Sequence, residues 1–274
     1  MRNDLKIGFI GGGNMAQALI GGLAGKLTAA RNIHVVDVIP DTLAMLSQRF
    51  GLTTSASPSE ALANVDVIVL AVKPQQMREV VATVKPYVTS QLLLSIAAGI
   101  RAADLSRWLG GHQAIVRTMP NTPALIGKGI TGAVAMAGVS EVQRKMADAI
   151  LSAVGETVWI DDEAQIDAVT AISGSGPAYV FYFIEAMQQA AVELGLTAEQ
   201  GRQLAQATFA GAAELAIRSD DPVSLLRERV TSKGGTTYAA LSSMDASGVK
   251  AALVKALHAA ADRGKELGEE FGKN

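Results

Sequence analysis

The sequence predicts an α/β first half, in which helices cover both faces of a parallel sheet, followed by an all-helical second half. Short runs rich in Val and Ile alternate with helix-like stretches from Lys6 to Ile160, as in strand–helix–strand units. The strand-like runs have continuous apolar stretches, which are typical of parallel strands buried on both faces. After about Asp162 these runs end and long alanine-rich helical patterns follow. The predicted domains are therefore residues 1–162 and 163–274.

The predicted elements follow one another along the chain. The strand-like runs are Lys6–Ile10, His34–Val38, Val65–Val72, Leu92–Ile96, Ala114–Arg117, Thr131–Met136 and Thr157–Ile160. The helix-like stretches of the first half are Met15–Leu27, Thr42–Phe50, Gln75–Val84 and Glu141–Ala153. The second half contains the helix-like runs Pro177–Leu194, Ala198–Arg218, Val223–Val230 and Gly248–Leu267. Pro177 and Pro222 stand where a helix would begin, a position that proline tolerates.

Composition limits the classes of function. The chain has 274 residues, a formal net charge of −2 and no cysteine. The charge gives no basic field for nucleic acid, and the lack of cysteine suits a reducing cytoplasm. The amino terminus shows no apolar signal-peptide core, and no apolar run is long enough to span a membrane. We expect a cytoplasmic protein that acts on a small molecule.

The helical half carries more apolar surface than a small monomeric bundle tolerates. Association of two chains through these helices would bury it, and this predicts a homodimer or a larger homo-oligomer. A monomer whose helices pack against the first domain is the alternative.

The first strand is followed by the pattern Gly11-x-Gly13-x-x-Ala16, which opens a helix. In a dinucleotide-binding, Rossmann-type unit the first glycine makes a tight turn and the second lets backbone amides approach a pyrophosphate. The anion then lies at the helix amino terminus, where free N–H groups and the helix dipole favour it. Residues Gly11, Gly12, Gly13, Asn14, Met15 and Ala16 are thus the predicted pyrophosphate site.

The second strand ends in Asp37, an acid at the distance where the ribose 2′-hydroxyl of NAD is bound. A carboxylate there repels the 2′-phosphate of NADP, and no arginine follows closely. This favours NADH. The alternative is that Asp37 only caps a turn.

Three further strand ends point at the same crevice, because ligands of such sheets bind at the carboxyl ends of strands. We expect them to line the cofactor site: Ala71, Val72, Lys73 and Pro74 after one strand, Ala97, Ala98 and Gly99 after the next, and Asn121 between two prolines. Lys73 could instead be an ordinary surface lysine, and Asn121 could serve only its own turn.

The sequence contains no metal-binding or hydrolase motif. Its three histidines, His34, His112 and His258, are far apart, and none of them lies in such a motif. The stretch between Lys145 and Lys233 holds no lysine, which argues against alcohol oxidation with a lysine base. Reduction of an imine is less demanding, because a protonated C=N is already electrophilic and nicotinamide brings the hydride.

Two stretches combine hydroxyl residues with glycines near a helix start, Ile172–Pro177 and Thr231–Thr237. Free amides and a positive dipole end in each could converge on one small carboxylate. Ordinary helix capping is the alternative for either stretch.

The segments FIGGGNMA, AVKP, SIAAGI, RTMPNTPA, ISGSGPAYV and RVTSKGGTT, in this order, resemble the pyrroline-5-carboxylate reductase family over essentially the whole chain. The resemblance implies reduction of L-Δ1-pyrroline-5-carboxylate to L-proline with NAD(P)H. It also implies a Rossmann domain followed by an all-α domain that interlocks in a homodimer, often within a homodecamer.

The resemblance further implies which residues hold the substrate. Ser232, Gly235, Thr236 and Thr237 would bind its carboxylate and ring, with Thr237 and Ser232 as catalytic hydroxyls and Thr237 facing the imine nitrogen. Glu163 and Ser175 would lie near the substrate.

Two positions depart from the family pattern. Lys233 stands where many members have proline, and Asp37 stands where members often have Ser, Thr or Asn and prefer NADPH. Both NADPH and NADH therefore remain open as cofactors. A hydroxyacid-type dehydrogenase and a non-catalytic NAD(P)H-binding redox sensor are the other functions considered.

Overall fold

The computed structural model describes residues 4–273, and their contacts group them into two compact units. The first unit contains the chain up to Ser175 together with the residues from Ala260 onwards, and the second is Gly176–Ala259. The division of the domains after residue 162 stays a prediction.

The first unit is built on one eight-stranded sheet with the order β3-β2-β1-β4-β5-β6-β7-β8. The strands are β1 Ile7–Ile10, β2 Ile33–Val36, β3 Thr53–Ser55, β4 Val67–Leu70, β5 Leu92–Ser95, β6 Ile115–Met119, β7 Gly129–Ala135 and β8 Gly155–Trp159. All neighbouring pairs are parallel except β6 and β7, which run antiparallel. The predicted α/β class with a Rossmann-type sheet is confirmed, and β3 is an additional short edge strand.

Among residues 4–273, six α-helices lie before Ser175, and five more follow them along the chain. The first group is α1 Asn14–Leu23, α2 Pro40–Phe50, α3 Met77–Val84, α4 Ala102–Trp108, α5 Glu141–Leu151 and α6 Gln165–Val169. The second group is α7 Gly176–Glu193, α8 Ala198–Arg218, α9 Val223–Arg229, α10 Thr236–Ala246 and α11 Val249–Gly272. None of the described helices is both long and apolar enough to cross a bilayer.

Two apolar clusters cover the two faces of the sheet. Along β4, Val67 and Val69 belong to the cluster that includes residues of α1 and α5. Ile68 and Leu70 belong to the cluster that includes residues of α3 and α4. Because side chains alternate between faces along a strand, a continuous apolar run such as β4 requires helices on both sides.

The second unit is helical. Thr197 and Gln200 form a reciprocal capping box that starts α8, which packs against α7 where Gly201 approaches Ala191. Among the described residues, α7 buries no side chain and α8 buries only Gly201 and Ala205. Large apolar side chains are instead exposed, Tyr182 by 70 % and Leu194 by 83 %. This is the apolar excess that the sequence predicts for an associating domain.

Candidate functional site

The strand order reverses direction between β1 and β4, and this places a crevice at their carboxyl ends. The loops after β1, β4 and β5 meet there. Ala71 N–H donates to Ile10 O at 2.8 Å, and Ile96 N–H donates to Leu70 O at 3.2 Å. The three predicted cofactor segments that begin at Gly11, Ala71 and Ala97 are therefore neighbours in the fold.

Each glycine of the first loop has a different environment. Gly11 has a φ of +100°, and a Cβ there would lie 2.7 Å from Ala71 O. A Cβ on Gly12 would lie 2.8 Å from the Leu46 side chain. Gly13 is exposed, and a Cβ on it would meet nothing within 4 Å. The first two glycines thus permit close packing within the protein, while Gly13 leaves space for something that the protein does not supply.

Helix α1 begins beside that space. Gly13 occupies the N-cap position, and no side chain within residues 4–273 accepts a hydrogen bond from the first turn of the helix. The amides of Asn14, Met15 and Ala16 have no partner within an α-helix and can donate to an anion. These uncapped amides, together with the open space beside Gly13, fit the pyrophosphate of a dinucleotide.

Asp37 binds the glycine loop directly. Its Oδ2 accepts from Gly12 N–H at 2.7 Å and its Oδ1 accepts from Ile39 N–H at 2.9 Å. The carboxylate therefore joins the end of β2 to the loop after β1, which combines the turn-capping role with a position next to the crevice. Each carboxylate oxygen can accept a second hydrogen bond, so a ribose hydroxyl can still be bound.

The remaining cofactor segments differ in exposure. Lys73 is exposed and precedes a short 3₁₀ turn at Pro74–Gln76, while Ala71 and Val72 are half-buried. Ala97 and Gly99 are buried and Ala98 is half-buried, and Gly99 has a φ of +73°. The assignment of these residues to the cofactor stays a prediction.

The amide of Asn121 is occupied within the protein. Its Nδ2 donates to Ser173 O at 3.2 Å, its Oδ1 accepts from Ile130 N–H at 3.0 Å, and the residue is 8 % exposed. These bonds favour the structural alternative, in which Asn121 ties its loop to β7 and to the segment before α7. A contact of Asn121 with the cofactor stays a prediction.

The Ile172–Pro177 stretch leads into a helix as expected, because α7 begins at Gly176, but a π-helical turn precedes it. Binding of a carboxylate by this stretch stays a prediction. Residues Thr170–Gly174 form a π-helical turn that continues α6, and Ser175 N–H donates to Thr170 O at 2.8 Å. The wider turn satisfies the amide of Ser175. It also brings Gly174 so close to Met119 that a Cβ would lie 2.4 Å from its Cε. Half-buried Ser175 lies at the end of this turn.

Glu163 is bound to a buried arginine. Its Oε1 accepts from Arg117 Nη1 at 3.0 Å and from Ala102 N–H at 2.7 Å. The side chain of Arg117 is 4 % exposed, and Asp167 lies 3.8 Å from its Nη2. Glu163 thus compensates a buried cation, and a contact with substrate stays a prediction. Arg117 is a functional residue that the sequence signals only by a charge within the strand-like run Ile115–Met119.

The stretch Thr231–Thr237 lies in the second unit and leads into α10. Gly235 is the N-cap of α10, and none of the described side chains caps the helix. Gly234 is left-handed, with a φ of +74°, and Gly235 N–H donates to Ser232 O at 3.0 Å. Ser232 and Thr236 are exposed, and Thr237 is half-buried. Hydroxyls and uncapped amides are therefore grouped at one helix start, the arrangement expected for binding a carboxylate.

Comparison with known proteins identifies both halves of the chain. Residues 163–267 match the family model described as pyrroline-5-carboxylate reductase dimerisation. Residues 6–99 match the one described as NADP oxidoreductase, coenzyme F420-dependent. A pyrroline-5-carboxylate reductase of Pseudomonas aeruginosa is 47 % identical over 98 % of both chains.

Solved structures agree. A pyrroline-5-carboxylate reductase of Coxiella burnetii is 39 % identical, with a TM-score of 0.90 over 96 % of this chain and 98 % of the other. The Plasmodium falciparum pyrroline carboxylate reductase, solved with NADP bound, is 33 % identical, with a TM-score of 0.87 over 98 % and 100 %.

Proposed function

The chain belongs to the pyrroline-5-carboxylate reductase family, and from this premise we propose how its residues perform the reaction. The protein is an NAD(P)H-dependent oxidoreductase that reduces the C=N bond of L-Δ1-pyrroline-5-carboxylate to give L-proline, the final step of proline biosynthesis. The observation that carries the assignment of residues is the pair of uncapped helix starts, α1 after Gly13 and α10 after Gly235.

The start of α1 holds the pyrophosphate of the cofactor, and the loops 71–74 and 97–99 line its remaining length. Bound NAD(P)H supplies the hydride. The space beside Gly13 and the free amides of the first turn support this role, because a phosphate must approach the backbone closely to be bound by N–H groups.

The start of α10 binds the substrate. The amides of Thr236 and Thr237 and the hydroxyl of Ser232 hold the carboxylate beside Gly235, and the Thr237 hydroxyl donates to the imine nitrogen. The protein thereby orients a planar ring and supplies a hydrogen bond to the nitrogen, on which negative charge develops as the hydride adds to the neighbouring carbon and which then takes up a proton. Glu163 and Ser175 stay in the proposal as residues near the substrate.

Thr237→Ala tests this role. A hydrogen bond to a charged group contributes about 1.5–3 kcal/mol, so we expect kcat/KM for the cyclic imine to fall by roughly 10- to 100-fold. Thr237→Ser keeps the hydroxyl and should recover most of the loss. Ser243→Ala removes an exposed hydroxyl from the same helix and is the matched control. Unchanged turnover in Thr237→Ala, with NADPH and NADH oxidation each followed separately, would refute the assignment.

Turnover by wild type also separates the candidate functions. A redox sensor would bind the dinucleotide without oxidising it when the imine is added. A hydroxyacid dehydrogenase would act on a hydroxyl substrate and leave the imine unchanged. Rapid oxidation of NAD(P)H that requires the cyclic imine supports only the reductase.

The second unit carries association, since it matches the dimerisation model of the family. A homodimer formed through the exposed apolar side chains of α7 and α8 is our proposal, and a homodecamer is its larger form. Cytoplasmic location is part of the same proposal and is supported by the absence of cysteine. Sedimentation gives the oligomer from multiples of the 28.4 kDa chain mass. A mass of one chain at micromolar concentration would contradict it.

A further inference from the structure

The carboxyl-terminal part of α11 lies against the loop that follows β5. Gly268 is buried there, and a Cβ on it would lie 3.1 Å from Arg101 Nε. On the same face of the helix, Leu267 and Phe271 contact Gly99. A Cβ on Gly99 would lie 3.1 Å from Leu267 Cβ and 3.2 Å from Phe271 Cδ2. The backbone of the loop is therefore in direct contact with two apolar side chains of the last helix.

The end of α11 is fastened to α4, the helix that begins directly after this loop. Arg107 Nη2 donates to Gly272 O at 2.8 Å and also pairs with buried Asp104 at 2.8 Å. Phe271 packs against the core cluster to which Ala97 and Ile100 belong. The ring of Phe271 thus touches the loop and the core on which the loop rests.

We propose that Leu267 and Phe271 are positioning residues that hold the 97–99 loop in the conformation required by the cofactor. The inference rests on the proposed function, which assigns this loop to NAD(P)H. Gly99 has a left-handed conformation and no side chain of its own, so the loop is held from behind by α11. Removing the ring opens space on that side, and the loop can then move away from the crevice. A binding wall must be held by its neighbours to keep its geometry.

The test is direct titration of NADPH into wild type and Phe271→Ala without substrate. We expect the Kd to rise by about 5- to 30-fold, the effect of losing one or two kcal/mol of positioning. Phe271→Leu should lie between the two, and the KM for the imine should change much less than that for NADPH. If Phe271→Ala does not fold, Leu267→Ala replaces it in the titration, and we expect its Kd for NADPH to rise as well.

Two controls separate positioning from stability. Tyr87→Leu truncates another half-buried side chain of the same core cluster, near the opposite end of β5 from the loop. It should lower the melting temperature and keep the Kd for NADPH within about twofold. Glu269→Ala changes an exposed residue of α11 and should alter neither quantity.

Wild-type affinity for NADPH in both Phe271→Ala and Leu267→Ala, or an equal loss of affinity in Tyr87→Leu, would overturn the inference. The titration requires no turnover. A wild-type protein that binds NADPH but does not reduce the imine would refute the proposed function while leaving this comparison decisive.

Discussion

Gly13→Ala should weaken cofactor binding without destabilising the fold, whereas Gly11→Ala should destabilise the fold, although both variants change the same loop. Gly13 is exposed and has a φ of −66°, which alanine adopts without strain. Its Cβ would meet nothing within 4 Å. Loss of a glycine N-cap costs about 0.5–1 kcal/mol. Reduced freedom of the unfolded chain returns about 0.4–1 kcal/mol. The stability of Gly13→Ala should therefore stay near that of wild type.

The methyl group that Gly13→Ala introduces should strongly weaken binding of the cofactor. It would occupy the space through which a pyrophosphate reaches the amides of α1. Hydrogen bonds to charged groups contribute about 1.5–3 kcal/mol, so we expect the Kd for NADPH to rise by roughly 10- to 100-fold.

Gly11→Ala should instead destabilise the fold. A φ of +100° disfavours any side chain, and the Cβ would lie 2.7 Å from a backbone oxygen that cannot move freely. The left-handed conformation costs about 1–2 kcal/mol and the overpacking about 1–3 kcal/mol. A loss of about 2–5 kcal/mol lowers the melting temperature by roughly 5–20 °C.

The assay is a thermal melt of each variant together with a fluorescence titration of NADPH at a temperature where each is folded. Wild-type affinity in Gly13→Ala would refute the placement of the pyrophosphate. A wild-type melting temperature in Gly11→Ala would refute the argument from close backbone approach.

Three further changes test the site and its surroundings. Asp37→Ser should raise the ratio of kcat/KM for NADPH to that for NADH by about tenfold, because it removes a carboxylate that repels a 2′-phosphate; an unmoved ratio would show that Asp37 does not contact the ribose. Glu163→Gln should lower the free energy of unfolding by about 1–3 kcal/mol, since it leaves buried Arg117 without its nearest countercharge; a melt that matches wild type would contradict this. Burial lowers the pKa of His34, so the neutral ring stabilises the fold above the ordinary pKa and this contribution is lost as the pH falls through the lowered value. His34→Asn should thus lose less stability than wild type between neutral and mildly acidic pH. The measurement is the free energy of unfolding at several pH values, and an equal pH dependence in both proteins would contradict the lowered pKa of His34.

Patterns within a segment allowed much of the first unit to be predicted. The runs that form β1, β4 and β5 consist mainly of large apolar residues, and this composition identifies them as buried strands. The three residues of β3, Thr53–Ser55, carry no such signal. Their place at the sheet edge comes from pairing with β2, where His34 binds the hydroxyls of Thr53 and Ser55.

The parts of the site that could not be predicted depend on contacts between segments that are distant in sequence. The glycine loop could be predicted because its geometry follows from the local pattern. Asn121 donates to Ser173, 52 residues away, and Glu163 accepts from Arg117, 46 residues away, and no local pattern identifies these partners. The π-helical turn at Thr170–Gly174 was also missed, because Ser and Gly there are equally typical of a loop.

The antiparallel pairing of β6 with β7 determines where the chain leaves the first unit. Strand β8 follows the direction of β7, and its last residue, Trp159, lies level with Thr118 near the carboxyl end of β6. The short segment after β8 therefore suffices for Glu163 to reach Arg117, and Gly174 arrives beside Met119 at the carboxyl end of β6. An insertion within β7 or β8 would shift the end of β8 along the sheet, so the lengths of these two strands are tied to the placement of Glu163 and Gly174.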